Sequence, residues 1–212
     1  MTRHVLMLLI VAACAAGCAP AYTVHINTFS EIKEPLSQTA PIYVSSDPNS
    51  RNPILADVMA AKTRTLLREH GYTVAEKAGG AGYVLTFRAG IDSTRVTDYM
   101  PVSRPFGGFY GRFGSGFRGM GYGYTTYVPY LETVYVHWLE MRLYRQGENV
   151  KDKPRPIWIA EAVVGRSDAE LRESINYLLV GLTEYFGADT RRWVTTTFKE
   201  NDPRIQGLAE TQ

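Results

Sequence analysis

Cysteine is nearly absent from this chain of 212 residues, which contains only Cys14 and Cys18. Because no cysteine follows Cys18, the long remainder of the chain cannot form an internal disulfide. A charge imbalance is also absent, since 23 Lys and Arg side chains face 21 Asp and Glu side chains. A formal net charge of +2 does not predict nucleic-acid binding, which usually requires a strongly basic surface.

Acidic residues are missing from the start of the chain, where the first is Glu31. A short basic start is followed by an apolar run over residues 5–13 and by small residues at positions 15–17. This pattern is typical of a signal peptide, because the apolar run is too short to span a bilayer as a mature helix. The small residues directly before Cys18 resemble the lipobox of bacterial lipoproteins.

The sequence therefore predicts a signal peptide over residues 1–17, with cleavage before Cys18 and a lipid anchor with a short tether over residues 18–21. Lipoproteins of this type carry a diacylglyceryl group and an N-acyl chain, and several acyl chains make attachment effectively permanent. Cys14 is a second, weaker lipobox match, and a simple signal peptide without lipid is the alternative. Ala19 stands where Asp signals inner-membrane retention in enteric bacteria. We therefore expect an outer-membrane lipoprotein whose domain faces the periplasm, with no cofactor besides this lipid.

Periodic patterns predict a single α+β domain over residues 22–199. Alternating residues predict strands at 22–29, 83–91, 128–145 and 157–164. Asn52-Pro53 and Gly71 predict the two ends of a first amphipathic helix. Ser167 with Glu170 predicts a capping box that opens a second helix. We expect a mostly antiparallel sheet with both helices packed on one face, and a disordered tail over residues 200–212.

Residues 106–124 contain eight glycines and seven aromatic residues but no acid. So much glycine makes ordering costly in backbone entropy, which predicts a long flexible loop between two strands. The simplest interpretation is a tolerated insertion. The alternative is a partner-contact loop, in which exposed aromatic and arginine side chains bind a partner or a lipid headgroup layer. Its candidate contact residues are Phe106, Phe109, Tyr110, Arg112, Phe113, Phe117, Arg118, Tyr122 and Tyr124.

No pattern in the sequence predicts a catalytic residue, a metal ligand or a nucleotide cofactor. Residues 114–119 match G-x-G-x-x-G but lack the following helix that dinucleotide binding requires. The histidines are widely spaced, and His70 is explained by the end of the first helix, where a cation is favourable. We expect His137 to be a hydrogen-bonded strand residue rather than a general base.

The motifs together resemble the bacterial envelope lipoproteins grouped as domain of unknown function 4136. The resemblance spans about Tyr22 to Gly187 and includes residues 66–72 (LLREHGY), 81–87 (AGYVLTF) and 157–162 (IWIAEA). Gly82 departs from an Ala-Asp-Tyr motif of the family, and the usual Arg-Gly after Trp158 is missing. The resemblance implies a location and a fold but no established activity.

Two hypotheses about function follow. The first is a non-catalytic binding or assembly-support module, held to the membrane by its lipid, whose partner is an unknown envelope protein or glycan. The alternative is a lipid-anchored enzyme that acts on peptidoglycan or glycolipid. A binding module should expose an apolar or aromatic patch, whereas an enzyme should contain a pocket with converging polar groups. A subunit of a larger assembly should show an unpaired sheet edge.

Overall fold

The computed structural model describes residues 21–46, 52–104, 124–150 and 153–209. These residues form seven strands in one sheet and three helices, which confirms the α+β class. The strands are β1 (Ala21–Ser30), β2 (Ile42–Ser46), β3 (Val74–Ala75), β4 (Tyr83–Arg104), β5 (Tyr124–Val150), β6 (Lys153–Arg166) and β7 (Val194–Lys199). The helices are α1 (Pro53–Glu69), α2 (Leu171–Thr183) and α3 (Pro203–Ala209).

The sheet is mixed, and its strands lie in the order β3-β2-β4-β5-β6-β1-β7. β2 pairs in parallel with both β3 and β4, whereas the other neighbouring pairs are antiparallel. The expectation of a mostly antiparallel sheet therefore missed the β2 side. The physical reason is that α1 separates β2 from the strands that follow, so the chain crosses back before it pairs again.

Helix α1 begins and ends where the sequence predicts. The Asn52 side chain accepts a hydrogen bond from the Leu55 backbone N–H at 3.0 Å, and Pro53 occupies the first turn. At the other end, Gly71 takes a left-handed conformation with φ of 83°, which glycine adopts without strain. The His70 Nδ1–H donates to the carbonyl of Leu66 at 2.9 Å, which also accepts from the backbone N–H of His70 at 3.0 Å.

Helix α2 begins later than the predicted capping box. Its N-cap is Glu170, whose side chain accepts a hydrogen bond from the Arg172 backbone N–H at 3.1 Å. The prediction that Ser167 caps this helix is therefore wrong. Residues 174–183 of α2 are all buried, because the helix packs against the sheet, α1 and α3 together.

The hydrophobic core lies between one face of the sheet and the helices. Alternate residues of each strand point to this face, so that Leu85, Leu143 and Trp158 share one row across β4, β5 and β6. All three are fully or almost fully buried. The Trp158 Nε1–H donates to the carbonyl of Ala188 at 3.0 Å, which satisfies its polar atom inside the core.

The tail was predicted to be disordered from residue 200, and this prediction is wrong for residues 203–209. They form α3, whose Ile205 and Leu208 side chains are buried against the core. Two apolar residues three positions apart in a short polar stretch were too weak a signal to predict a helix. Among the described residues, no helix combines the length and the apolar character needed to cross a bilayer.

Candidate interaction surface

The residues predicted to carry function lie mostly outside the described part of the chain. This is true of Cys18 and of the loop side chains from Phe106 to Tyr122. Tyr124 is described as the first residue of β5, where it pairs with Arg104 at the end of β4. The lipid site and the glycine-aromatic loop therefore stay predictions, and the candidate surface is formed by the strands that flank the loop.

Strands β4 and β5 continue well beyond the predicted strands and beyond the sheet itself. β4 leaves its neighbour β2 after Phe87, and β5 meets β6 only from Tyr135 onward. Within the described chain, residues 94–104 and 124–134 therefore pair only with each other. We call this two-stranded part the ribbon. At the rise per residue of an antiparallel strand, it is about 34 Å long.

One face of the ribbon exposes large apolar side chains. Tyr99, Tyr127 and Leu131 are 60%, 65% and 69% exposed. They share a face because Tyr99 lies opposite Pro129, and Tyr127 and Leu131 lie two positions to either side of that proline. Arg95 follows the same alternation. We call this face of the ribbon the aromatic face. It comprises Arg95, Tyr99, Tyr127, Pro129 and Leu131, none of which is acidic.

The opposite face of the ribbon carries its acids. Asp98 and Glu132 lie on it together with Val96 and Met100, which are 38% and 52% exposed. We call these four residues the acidic face. The two faces therefore differ in charge, although both expose apolar side chains.

Both long edges of the ribbon lack a neighbouring strand within the described residues. Each edge contains a proline, Pro101 in β4 and Pro129 in β5. Proline has no backbone N–H, so it fits an antiparallel pair only where that position points away from the partner strand. The prolines therefore deny a third strand a hydrogen bond on each edge, which is a common protection against strand addition.

The ribbon leaves the sheet at the end where β1 begins. One row across the sheet joins Val24, Val164, His137 and Ile91 on β1, β6, β5 and β4. From this row, the residues of β1 that lead back to Ala21 extend toward the same end of the sheet as the residues of β4 and β5 that form the ribbon. The start of β1 and the ribbon therefore share one end of the sheet.

A shallow cavity lies on the sheet face opposite the helices. It measures about 230 Å³ and is lined by side chains that include Arg88, Trp138, Glu140 and Glu161. Its volume is below the range of about 300–1,000 Å³ that is typical of small-molecule sites. Trp138 lies across Gly90, where a Cβ atom would come within 2.6 Å of the indole Cζ2. Its Nε1 is buried and has no hydrogen-bond partner among the described residues.

Two glutamates from neighbouring strands line this cavity. Glu140 and Glu161 are directly paired across β5 and β6, which places their Cβ atoms about 5 Å apart. Arg142 contacts both carboxylate oxygens of Glu140, with Nε 2.8 Å from Oε1 and Nη2 3.1 Å from Oε2. This hydrogen bonding also raises the pKa of Arg142. Glu140 is therefore engaged in a charge pair within the fold.

His137 forms a serine-histidine pair that resembles a catalytic dyad but is buried. Its Nε2–H donates to the backbone carbonyl of Asp168 at 2.9 Å, and Nδ1 accepts from the Ser174 hydroxyl at 2.6 Å. His137 is 0% and Ser174 is 1% exposed. Both ring nitrogens therefore have a hydrogen-bond partner. This agrees with the expectation of a hydrogen-bonded strand residue, and the pair joins β5 to the start of α2.

The sequence patterns missed the ribbon because the first predicted strand ended at Ile91 and the second began only at Val128, which left out residues 94–104 and 124–127. A usable signal was present, since no acid occurs between Asp98 and Glu132. This acid-free stretch is longer than the glycine-aromatic segment and includes the apolar ends of both strands. Only the register places Tyr99, Tyr127 and Leu131 on one face.

Comparison with known proteins identifies no family. No family model matches the chain, and no curated protein matches it. Among solved structures, it is similar to the PelC dodecamer from Paraburkholderia phytofirmans, with a TM-score of 0.41 and 14% identity over 78% of this chain and 98% of that chain. A second crystal form of PelC gives a TM-score of 0.41, 13% identity and coverages of 79% and 99%.

A PDZ domain protein from Parabacteroides distasonis is similar with a TM-score of 0.45 and 14% identity, over 89% of this chain and 41% of that chain. Structural likeness at this level assigns no activity, ligand or partner to the chain. The resemblance to the envelope lipoproteins of domain of unknown function 4136 stays a prediction.

Proposed function

We propose that this chain is a lipid-anchored cell-envelope protein that works as a non-catalytic binding or assembly-support module. Cys18 is the anchor, in the outer membrane, and the domain faces the periplasm. The signal-peptide pattern and the lone cysteine after it support the anchoring. The resemblance to the domain of unknown function 4136 lipoproteins supports the same location.

The observation that carries the binding role is the ribbon. A two-stranded β-ribbon is marginally stable in water when it stands alone. This one also exposes Tyr99, Tyr127 and Leu131 on a single face. Clustered large apolar side chains on the surface of a folded domain are typical of interaction sites. A partner that covers the aromatic face would remove this apolar surface from water and stabilise the ribbon.

The alternative is a lipid-anchored enzyme that acts on peptidoglycan or glycolipid. The cavity beside Trp138 favours it, because Glu140 and Glu161 both line it and are paired across neighbouring strands, and glycosidases act through two carboxylates. The engagement of Glu140 by Arg142 is an argument against it, since a nucleophile or acid must be free to meet its substrate. The ribbon is therefore the stronger candidate.

The two functions are separated by crosslinking in intact cells. A photoreactive residue at Leu131, in the middle of the aromatic face, should crosslink to an envelope component. The matched control is the same residue at Thr195, an exposed position on β7. Equal crosslinking at both positions, or none at Leu131, would contradict a binding role for the ribbon.

The enzyme alternative has its own test in the same cells. The variants Glu140→Gln and Glu161→Gln should leave envelope composition unchanged if the module is non-catalytic. Accumulation of uncleaved peptidoglycan or glycolipid in either variant, with folding intact by circular dichroism, would favour the enzyme instead.

A further inference from the structure

We propose that the aromatic face of the ribbon, formed by Arg95, Tyr99, Tyr127, Pro129 and Leu131, binds the surface of the anionic phospholipid bilayer that holds the anchor. The proposal rests on the anchoring at Cys18 and names the partner of the ribbon. The ribbon would then be a second membrane contact, which fixes the orientation of the domain on the bilayer.

The first support is the reach of the ribbon. The segment from Cys18 to Ala21, where β1 begins, spans at most about 11 Å even when fully extended. The ribbon leaves the same end of the sheet and is about 34 Å long. A bilayer that holds Cys18 therefore lies well within the length of the ribbon. The ribbon can therefore lie along the headgroup layer with one face against it.

The second support is the chemistry of the two faces. Tyrosine is enriched at membrane-water boundaries, where its ring is buried and its hydroxyl stays hydrated. Leu131 adds apolar area, and Arg95 supplies a cation for anionic headgroups. Asp98 and Glu132 lie on the opposite face, so the aromatic face can approach an anionic surface without bringing a carboxylate to it.

The third support is the nature of the edges. A partner that extended the sheet would need free backbone donors along an edge of the ribbon. Pro101 and Pro129 each remove one such donor. Binding through a face of the ribbon is therefore favoured over the addition of a partner strand to its edge.

The test uses the chain from residue 18 onward, with Cys18→Ser so that no lipid contributes. Flotation with vesicles measures binding, in one arm to phosphatidylcholine alone and in the other to phosphatidylcholine with phosphatidylglycerol. We expect binding to the anionic vesicles that weakens as salt is raised. The triple variant Tyr99→Ser, Tyr127→Ser, Leu131→Ser should lose at least about tenfold in partitioning, because it removes the apolar contacts.

The matched control alters the acidic face with Val96→Ser and Met100→Ser. It should keep partitioning within about twofold, since these residues face away from the bilayer. Circular dichroism and thermal unfolding establish that both variants fold. If the parent does not float with anionic vesicles, or if both variants lose binding equally, the proposal is wrong.

A second copy of the chain is the competing occupant. If light scattering shows a dimer that only the triple variant disrupts, and vesicles are not bound, the aromatic face belongs to that dimer and the lipid proposal is overturned. Anchoring is measured separately, by mass spectrometry of the native N-terminus. An unmodified Cys18 beside intact vesicle binding would refute the proposed anchor alone, whereas lipidation without vesicle binding would refute the ribbon proposal alone.

Discussion

The buried pair of His137 and Ser174 offers a decisive test of whether this serine is structural or catalytic. In the structural interpretation, Ser174→Ala removes the hydroxyl that donates to His137 Nδ1 at 2.6 Å. The nitrogen then stays unpaired in a site that is 0% exposed, which costs about 1–3 kcal/mol. Alanine recovers about 0.5 kcal/mol through its higher helix propensity in α2. The expected net loss in the free energy of unfolding is about 1–2 kcal/mol.

Replacing the histidine should cost more. His137→Ala leaves both Ser174 Oγ and the carbonyl of Asp168 without their partner and opens a cavity in the core. Together these effects should lower the free energy of unfolding by about 3–5 kcal/mol. Since both single variants break the same hydrogen bond, the double variant should cost less than their sum, by about 1 kcal/mol.

Urea unfolding of the chain from residue 18, with Cys18→Ser, measures all four members of this cycle. Fluorescence and far-ultraviolet circular dichroism should give the same midpoint, as two-state unfolding requires. The exposed neighbour Ser167→Ala is the matched control and should change stability by less than about 0.5 kcal/mol. A Ser174→Ala variant as stable as the parent would refute the structural interpretation, above all if it also abolished a hydrolytic activity.

Two further predictions concern the helices. Lys62 is buried between α1 and α2, where its Nζ donates to Asn176 Oδ1 at 2.9 Å. Desolvation by burial, and to a smaller extent the nearby charge of Arg172, lowers the pKa of Lys62 below its ordinary value of 10.5. Between that lowered pKa and 10.5 the unfolded chain binds more protons than the folded one, so stability should rise with pH across this window. The urea midpoint should therefore rise less steeply with pH in Lys62→Met than in the parent. In the exposed control Lys77→Met, the rise with pH should equal that of the parent. Leu208→Ala should lower the free energy of unfolding by about 2–4 kcal/mol, because α3 buries this side chain. The exposed control Gln206→Ala should lower it by less than about 0.5 kcal/mol. If the two variants have equal midpoints in thermal unfolding, α3 does not dock against the core.

The sequence predicted helix ends and buried strand residues well where the signal comes from neighbouring residues in the chain. Asn52, Pro53 and Gly71 mark the ends of α1 because capping and backbone conformation depend on neighbouring residues only. The buried strand residues follow alternation for the same reason. At α2 two candidate caps compete, and Glu170 rather than Ser167 takes the position. A difference of a few residues at a helix end is within the range that neighbouring contacts decide.

The missed features are those that depend on contacts between distant segments. α3 forms because Ile205 and Leu208 find the core, and seven residues would not hold a helix alone. The parallel pairing of β2 with β4 joins residues about forty positions apart and leaves no periodic trace in either strand. The candidate site belongs to this group, since the aromatic face exists only through the register of β4 with β5.

Three polar or charged side chains inside the fold have partners, whereas the apolar side chains of the ribbon are exposed. Ser174 and Asp168 satisfy His137, Asn176 satisfies Lys62, and Arg142 engages Glu140. Each of these groups has a partner within the chain, so none needs a substrate to explain its position. The ribbon is different, because the described residues neither bury its aromatic face nor add a third strand to it. Clustered apolar exposure of this kind is typical of a surface that binds a partner. Under the proposed anchoring at Cys18, a bilayer within about 11 Å of the same end of the sheet would cover this face without any further protein.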